Sequence, residues 1–336
     1  MSSVDGLIRK IRSVPLVQPA WRLLRGCLLG ARRTQVFSIG QFAGAGPLMI
    51  GPGVTENPIL TARDVTDIDA EFIADPFLVR SRDDWNLFFE VLPKARRGRV
   101  QPGVIAVATS TDGGMSWKYR QVVLQERHHL SYPFVLKVGD DFYMVPESQE
   151  CNEIRLYRAS CFPTRWSYVA SLLSGDFTDP TPFQFDGSWW MIAESVIKGS
   201  RFAGNRANST LRLFYSDELT GPWSEHPKSP IVEGDQRIAR PAGRVYIGGP
   251  ASRPIRFAQD CRQDYGAAVY AFEITDLTRT TYDERELGDG PLLAGSGQGW
   301  NADGMHHIDV QQVDDEWIAV VDGWHYSSAG ARRRGR

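Results

Sequence analysis

Four cysteines in 336 residues leave little room for covalent or metal scaffolding. Cys27, Cys151, Cys161 and Cys261 form no CxxC pair and match neither a zinc ribbon nor a dense disulfide framework, so reduced thiols are expected. Nothing like the ~18 consecutive apolar residues of a membrane-spanning helix occurs. The N-terminus lacks the compact apolar core and small-residue cleavage site of a secretory signal, and the expectation is a cytoplasmic protein. Charge of one sign is also missing. With 38 Lys and Arg against 40 Asp and Glu, the formal net charge is −2, and no basic field is available to displace counterions from nucleic acid. No glycine-rich phosphate loop or dinucleotide fingerprint is visible.

What the chain has is aromatic residues in a repeat. The stretch from His129 to Trp166 opens with Pro133 and Phe134, turns, runs to Glu147 and closes at Trp166. The same order appears upstream with Asp75, Pro76, Phe77, Glu90 and Trp117, and downstream with Thr181, Pro182, Phe183, Glu194 and Trp223. A weaker copy begins at Arg240 and has Tyr282 in the Trp place, and a last copy from His306 holds two runs only. Short runs rich in Val, Ile and aromatics, bounded by Gly, Asp and Ser, are strands. Their return about every fifty to sixty residues is the mark of a blade array. The expected fold is all-β, a five-bladed β-propeller with a short helical N-terminal extension. The competing reading is a β-sandwich with chance similarity between its strands. Trp packing between blades accounts for most of the ten tryptophans.

Three segments follow: a basic amphipathic extension over 1–34, the propeller over 35–324 and a basic disordered tail over 325–336. The first carries Arg9, Lys10, Arg12, Arg22, Arg25, Arg32 and Arg33 against Asp5 alone, a pattern that fits either a packed arm or peripheral contact with the inner face of a membrane. QVFSIGQF at 35–42 is a candidate strand that completes the last blade and closes the ring. Ser110, Asp112, Gly114, Ser116 and Trp117 resemble the Asp-box of sialidases and other propellers, which implies a structural hairpin clamp.

A propeller gathers the starts of its inner strands around one channel, so polar groups there converge. Those openings supply Asp75, His129, Tyr132, Asp179, Arg240, His306, His307 and Asp309. Carboxylates, imidazoles, a phenol and an arginine in one funnel suit a sugar or a sugar phosphate. Glu90, Glu147 and Glu194 end the second runs, and a shared place argues first for a shared structural duty, such as accepting backbone N–H groups of the next blade. Glu147 and Glu194 are nevertheless candidates for the site.

The motifs ADPFLV with FFEV, HLSYPFV with YMVPES and LYRA, FPTRW, GPWSEHPKSPI, RPAGR, AQDCRQDYG and GMHHID resemble the N-terminal domain of the glucosamine inositolphosphorylceramide transferase family over residues 55–324. In plant members of that family this domain precedes a separate glycosyltransferase domain. The resemblance implies work in glycan or glycolipid biosynthesis, as a glycosyltransferase or a transferase-associated sugar-recognition domain, with a separate glycosyltransferase as a partner. The chain ends without such a second domain, so transferase activity does not follow from the resemblance alone. The architecture also resembles the arabinanases of glycoside hydrolase family 43 and the invertases. That likeness implies Asp75 as a base or nucleophile, with Glu147 or Glu194 as acid. Tyr132 and Asp179 or Thr181 stand where the further acids of those enzymes are expected, which weighs against hydrolysis. GMHH resembles the arabinanase position of a channel histidine beside a bound ion, so His306 is a candidate metal neighbour and calcium the expected ion. The leading reading is transfer or its support, with Asp75 as base and His129, Tyr132, Asp179, Arg240, His307 and Asp309 holding substrate. A hydrolase and a non-catalytic glycan-binding scaffold are the alternatives.

Overall fold

A computed structural model describes residues 34–81, 84–195, 208–248, 252–313 and 316–327. The expected helical extension and basic tail lie almost wholly outside these residues. Among the described residues the strands form five antiparallel sheets, the blades of a propeller. The first blade runs outward through Ala70–Ser81, Asp84–Pro93, Val104–Ser110 and Lys118–Leu124. The second is Ser131–Val138, Asp141–Glu147, Glu153–Cys161 and Arg165–Ser174. The third starts with Phe177–Phe185 and Ser188–Ser195, and the fourth with the two-residue strand Arg240–Pro241 and Ile255–Gln259.

The fifth blade has Gly304–Val313 inside, then Glu316–Tyr326, then Gln35–Gly46, with Met49–Pro52 at its edge. The N-terminal strand therefore completes the last blade, as its sequence predicts, and the ring is shut by strands from both ends of the chain.

Strand 84–93 is buried at every position except its two ends, because adjoining blades cover both of its faces. Apolar side chains fill the interfaces. Ile39, Leu78, Leu87, Phe89 and Val320 share one cluster, and Phe42, Phe257, Ile308 and Val321 share another. Two tryptophans at the blade ends tie down local structure, Trp166 Nε1 donating to Pro163 O and Trp223 Nε1 to Leu219 O, while Trp117 Nε1 reaches Gln41 Oε1 in the fifth blade. In the Asp-box, Asp112 Oδ1 accepts from Ser110 Oγ and from the Ser116 N–H at 2.7 and 2.9 Å, the structural clamp the motif implies.

One detail of the repeat needs correcting. Ala74, Ser131 and Thr178 pair with Glu90, Glu147 and Glu194, and a bulge follows in each case. The third blade therefore opens on Asp179 and Pro180, not on Thr181 and Pro182. The bulge residues Asp75, Tyr132 and Asp179 have φ of 54°, 44° and 49°, a left-handed conformation that L-residues adopt at a cost of roughly 1–2 kcal/mol. Each of them is followed by proline.

At Gly243 the fourth and fifth blades meet most closely: its φ is 127° and an added Cβ would lie 1.8 Å from Ile308 O. Gly243→Ala is expected to cost at least about 3 kcal/mol or to prevent folding. Gly113→Ala, which meets nothing within 4 Å and has only its φ of 69° to strain it, should cost about 1–2 kcal/mol. Urea unfolding of the two variants against the parent chain checks the difference.

Candidate functional site

The bulges set Asp75, Tyr132 and Asp179 at equivalent places in three inner strands, and hydrogen bonds between blades lock them there. Asp322 Oδ2 accepts the Asp75 N–H at 2.9 Å, Asp75 Oδ2 accepts the Tyr132 N–H at 3.1 Å and Glu147 Oε2 accepts the Asp179 N–H at 3.3 Å. A carboxylate of one blade thus holds the strained backbone of the next. Of the three second-strand glutamates only Glu147 serves in this way. Glu194 stays within its own blade, accepting from Thr178 Oγ1 at 2.7 Å and the Asn208 N–H at 2.9 Å, and Glu90 Oε1 faces His129 Nε2 at 3.3 Å.

Two charge clusters result. In the first, His306 stands between two aspartates, with Nδ1 at 2.6 Å from Asp322 Oδ1 and Nε2 at 3.6 Å from Asp75 Oδ1. Phe37 and Tyr265 pack on the imidazole at ring separations of 4.9 and 5.3 Å. In the second, Arg240 is shared by two carboxylates: Nε reaches Asp179 Oδ2 at 2.5 Å and Nη2 reaches Glu147 Oε2 at 3.2 Å. Its Nη1 donates to Asn208 Oδ1 at 2.8 Å, and Tyr265 lies 5.1 Å from the guanidinium carbon. Gln259 Nε2 steadies Asp179 from behind at 3.1 Å. Tyr265 thereby touches both clusters.

Burial sets the electrostatics. It raises the Asp75 carboxyl to about 7, with Asp322 and Asp179 adding to the rise and His306 opposing it. Burial likewise pushes Glu90 and Glu147 well above the carboxylate range and lifts Glu194. It works against a charge on His306, but Asp322 overrides it and the imidazole is raised, while Asp322 is held low by the same partner in spite of its burial. Burial drops His129 and His307 to about 4, so both are neutral near pH 7. The Asp75 side chain keeps 11% of its surface exposed, against 4% for His306 and none for Asp322. Asp75 is therefore the member of its cluster with the most exposed side chain.

Other candidates have different surroundings. The Tyr132 hydroxyl accepts the Gly243 N–H at 2.8 Å and lies 2.8 Å from Thr181 Oγ1, so it joins three blades instead of offering a free hydroxyl to a substrate. Asp309, fully buried, binds Arg244 Nε at 2.8 Å and the Leu78 N–H at 2.8 Å, an interblade ion pair that takes up its carboxylate. His129 Nδ1 accepts the Gly103 N–H at 3.0 Å, and its Nε2 lies 3.3 Å from Glu90 Oε1 without forming a hydrogen bond. His307 packs edge-on to Phe77 and Tyr132, and its two buried ring nitrogens have no hydrogen-bond partner. Asp322, Asn208, Gln259 and Tyr265 were not singled out from the sequence. Asp322 had a signal, since it ends the second run of the last copy much as the glutamates end theirs.

Asp75, His306 and Asp322 bring ligand atoms within 4.8 Å of one another. Calcium takes roughly six to eight oxygens, and here two carboxylates and one nitrogen are on offer, with Asp322 already occupied by His306 and the Asp75 N–H. The donor set does not fit calcium.

The raised Asp75 carboxyl makes a thermodynamic demand. Between its unfolded value near 3.8 and its folded value of about 7 the native state keeps a proton that the unfolded chain releases, so stability falls as pH rises through that window and levels off above it. Asp75→Asn removes this carboxyl's share of the slope, while the raised Glu90, Glu147 and Glu194 keep theirs. Its melting temperature relative to the parent should rise from no gain near pH 4 to roughly 3–6 °C above pH 7, measured by calorimetry across the range.

Comparison with known proteins agrees with this architecture. Residues 36–324 match the family model described as glucosamine inositolphosphorylceramide transferase 1, N-terminal. A protein of that name from Oryza sativa subsp. japonica is 36% identical over 328 residues, covering 92% of this chain and 42% of the relative. The Arabidopsis thaliana protein is 32% identical over 305 residues, covering 85% and 39%. This chain thus spans well under half the length of either. Among solved structures, β-1,2-mannobiose phosphorylase from Listeria innocua, in complex with β-1,2-mannobiose, superposes with a TM-score of 0.58 at 12% identity over 84% of this chain and 96% of that one. A glycoside hydrolase gives 0.55 at 11% identity over 96% and 99%. At such identities these two structures bear on the fold alone. The family match covers nearly the whole propeller, and the chain belongs to the glucosamine inositolphosphorylceramide transferase 1 N-terminal family.

Proposed function

We propose that the funnel binds a sugar of a glycan or glycolipid under assembly, and that Asp75 takes the proton from the hydroxyl that reacts. The observation that carries this reading is the state of Asp75: the most exposed side chain of its cluster, a carboxyl held at about 7 beside an imidazole anchored by a second carboxylate. A general base works best when its pKa lies near the working pH, and here burial supplies that match. Asp322 and His306 fix the geometry. Asp179, Glu147 and Arg240 form the opposite wall, where acceptors and donors at fixed spacing can meet sugar hydroxyls, and Tyr265 offers an aromatic surface between the two walls. The donor would be a nucleotide-linked sugar: as the acceptor oxygen bonds its anomeric carbon, the bond from that carbon to the phosphate breaks and the nucleotide leaves with the phosphate, Asp75 keeping the hydroxyl proton. The names of the curated relatives support the transferase direction, and the disaccharide bound by the Listeria innocua phosphorylase supports a sugar ligand for this architecture.

Hydrolysis is the second reading, favoured by the raised Glu147 carboxyl, which would hold a proton for a leaving group. Against it, Glu147 is tied both to Arg240 and to the Asp179 backbone.

Mass spectrometry of a glycan and glycolipid panel, incubated with and without sugar nucleotides, separates the readings. Transfer appears as a sugar-sized gain in mass, lowered by about 10²–10⁴-fold in Asp75→Asn. A sugar-sized loss means hydrolysis, and no change with either protein leaves a binding module and ends the case for Asp75 as a base. The rate should also rise with pH as Asp75 gives up its proton around 7.

A further inference from the structure

The first blade carries a charged feature that the sugar site does not use. Between the second and third strands of the first blade, residues 94–100 are exposed without a break and include Lys94, Arg96, Arg97 and Arg99. Arg96 and Arg99 exchange both backbone hydrogen bonds at 3.0 Å, and Arg97 and Gly98 form the turn with φ of 51° and 73°. Two positive φ angles mark a type I′ hairpin, whose twist makes a stiff projection. Among the described residues, none of its four cationic groups meets a carboxylate within 4 Å, whereas Arg155, Arg158, Arg212 and Arg237 elsewhere each hold one. Val100, 46% exposed, adds an apolar side chain at its base.

The hairpin stands at the end of the blade where the inner strand Ala70–Ser81 begins, since Ala70 pairs with Pro93. The Lys94 N–H donates to Asp69 O at 2.7 Å, just ahead of the inner strand that carries Asp75. On the other side of its base the Gly103 N–H donates to His129 Nδ1 at 3.0 Å, and His129 faces Glu90. The base of the hairpin is thus tied to the inner strand that carries Asp75 and to His129 of the next blade.

We infer that residues 94–100 dock the mouth of the propeller on an anionic lipid surface. Four unpaired cations on a rigid turn with one apolar neighbour complement a plane of phosphate head groups, because each cation gains attraction without breaking an internal ion pair. The formal charge of −2 for the whole chain makes this a local field, which orients the molecule on the surface instead of merely attracting it. Docked in this way, the funnel opens onto head groups, the position in which a glycolipid sugar could enter. That last consequence rests on the glycolipid reading above; the docking itself does not.

The test is sedimentation of the full chain with vesicles of phosphatidylcholine alone or mixed with phosphatidylglycerol, at low and high salt. The parent chain should partition to the mixed vesicles only, and weaken as salt rises. Lys94→Gln, Arg96→Gln, Arg97→Gln and Arg99→Gln combined should lower partitioning on the order of a hundredfold, while Lys118→Gln with Arg120→Gln on the outer strand leaves it within about twofold. Equal partitioning of the hairpin variant and the parent overturns the inference, since the basic N-terminal segment would then carry the binding. So does binding of the parent to neutral vesicles alone, or to RNA and not to vesicles. Vesicle binding requires no turnover, so its failure is separable from failure of the mass assay on soluble glycans.

Discussion

The structure depends on a carboxylate of one blade holding the backbone of the next. Asp75, Tyr132 and Asp179 sit in left-handed bulges that an isolated strand would refuse, and Asp322, Asp75 and Glu147 respectively accept their N–H groups. Each bond crosses a blade boundary, so the strain is compensated only when the ring has assembled. The fifth blade supplies Asp322, and the strand Gln35–Gly46 must join that blade before the sheet behind Asp322 is complete. Ring closure and site formation are therefore one event. A propeller opened at that seam would lose its first carboxylate bond along with its last sheet.

The same device explains why so much charge is buried. A carboxylate that accepts one backbone N–H has capacity left over, and in this funnel the remainder meets Arg240 or His306. Each of these cations is shared by two acids. Sharing leaves the acids short of positive charge, and burial then lifts Asp75, Glu90, Glu147 and Glu194 above their usual range. Such an arrangement costs stability near neutral pH. It is the expected mark of a site kept for chemistry or binding, since apolar side chains would fill the same volume at lower cost.

Much of this was legible in the sequence, for definite reasons. Strand recurrence depends on local composition, and the X-Pro openings and aromatic runs carried it; even the N-terminal strand of the last blade could be placed, because its copy was visibly short of strands. The register of the third blade was misread because TDPTP holds two X-Pro pairs, and only cross-strand pairing distinguishes Asp179 from Thr181. Site roles were less legible. Tyr132 and Asp309 lie where inner strands begin, yet their polar atoms are taken by Gly243, Thr181, Arg244 and Leu78, from other blades far away in sequence. Asn208 and Gln259 came from segments with no repeat signature, and their contacts with Arg240 and Asp179 exist only after closure.

The two clusters also differ in how firmly their members are held. Arg240 reaches Asp179, Glu147 and Asn208, so moving any one of these groups disturbs the others, and the cluster resists change in position. His306 is anchored on one side only: the bond to Asp322 is short, and the approach to Asp75 at 3.6 Å is loose. A carboxyl held by one backbone N–H, with the imidazoles of His306 and His307 no nearer than 3.6 and 3.8 Å, can gain or lose a proton without dismantling its surroundings. Stability of the wall and freedom of the acid thus come from the same fold, divided between an arginine that fixes and a histidine that does not.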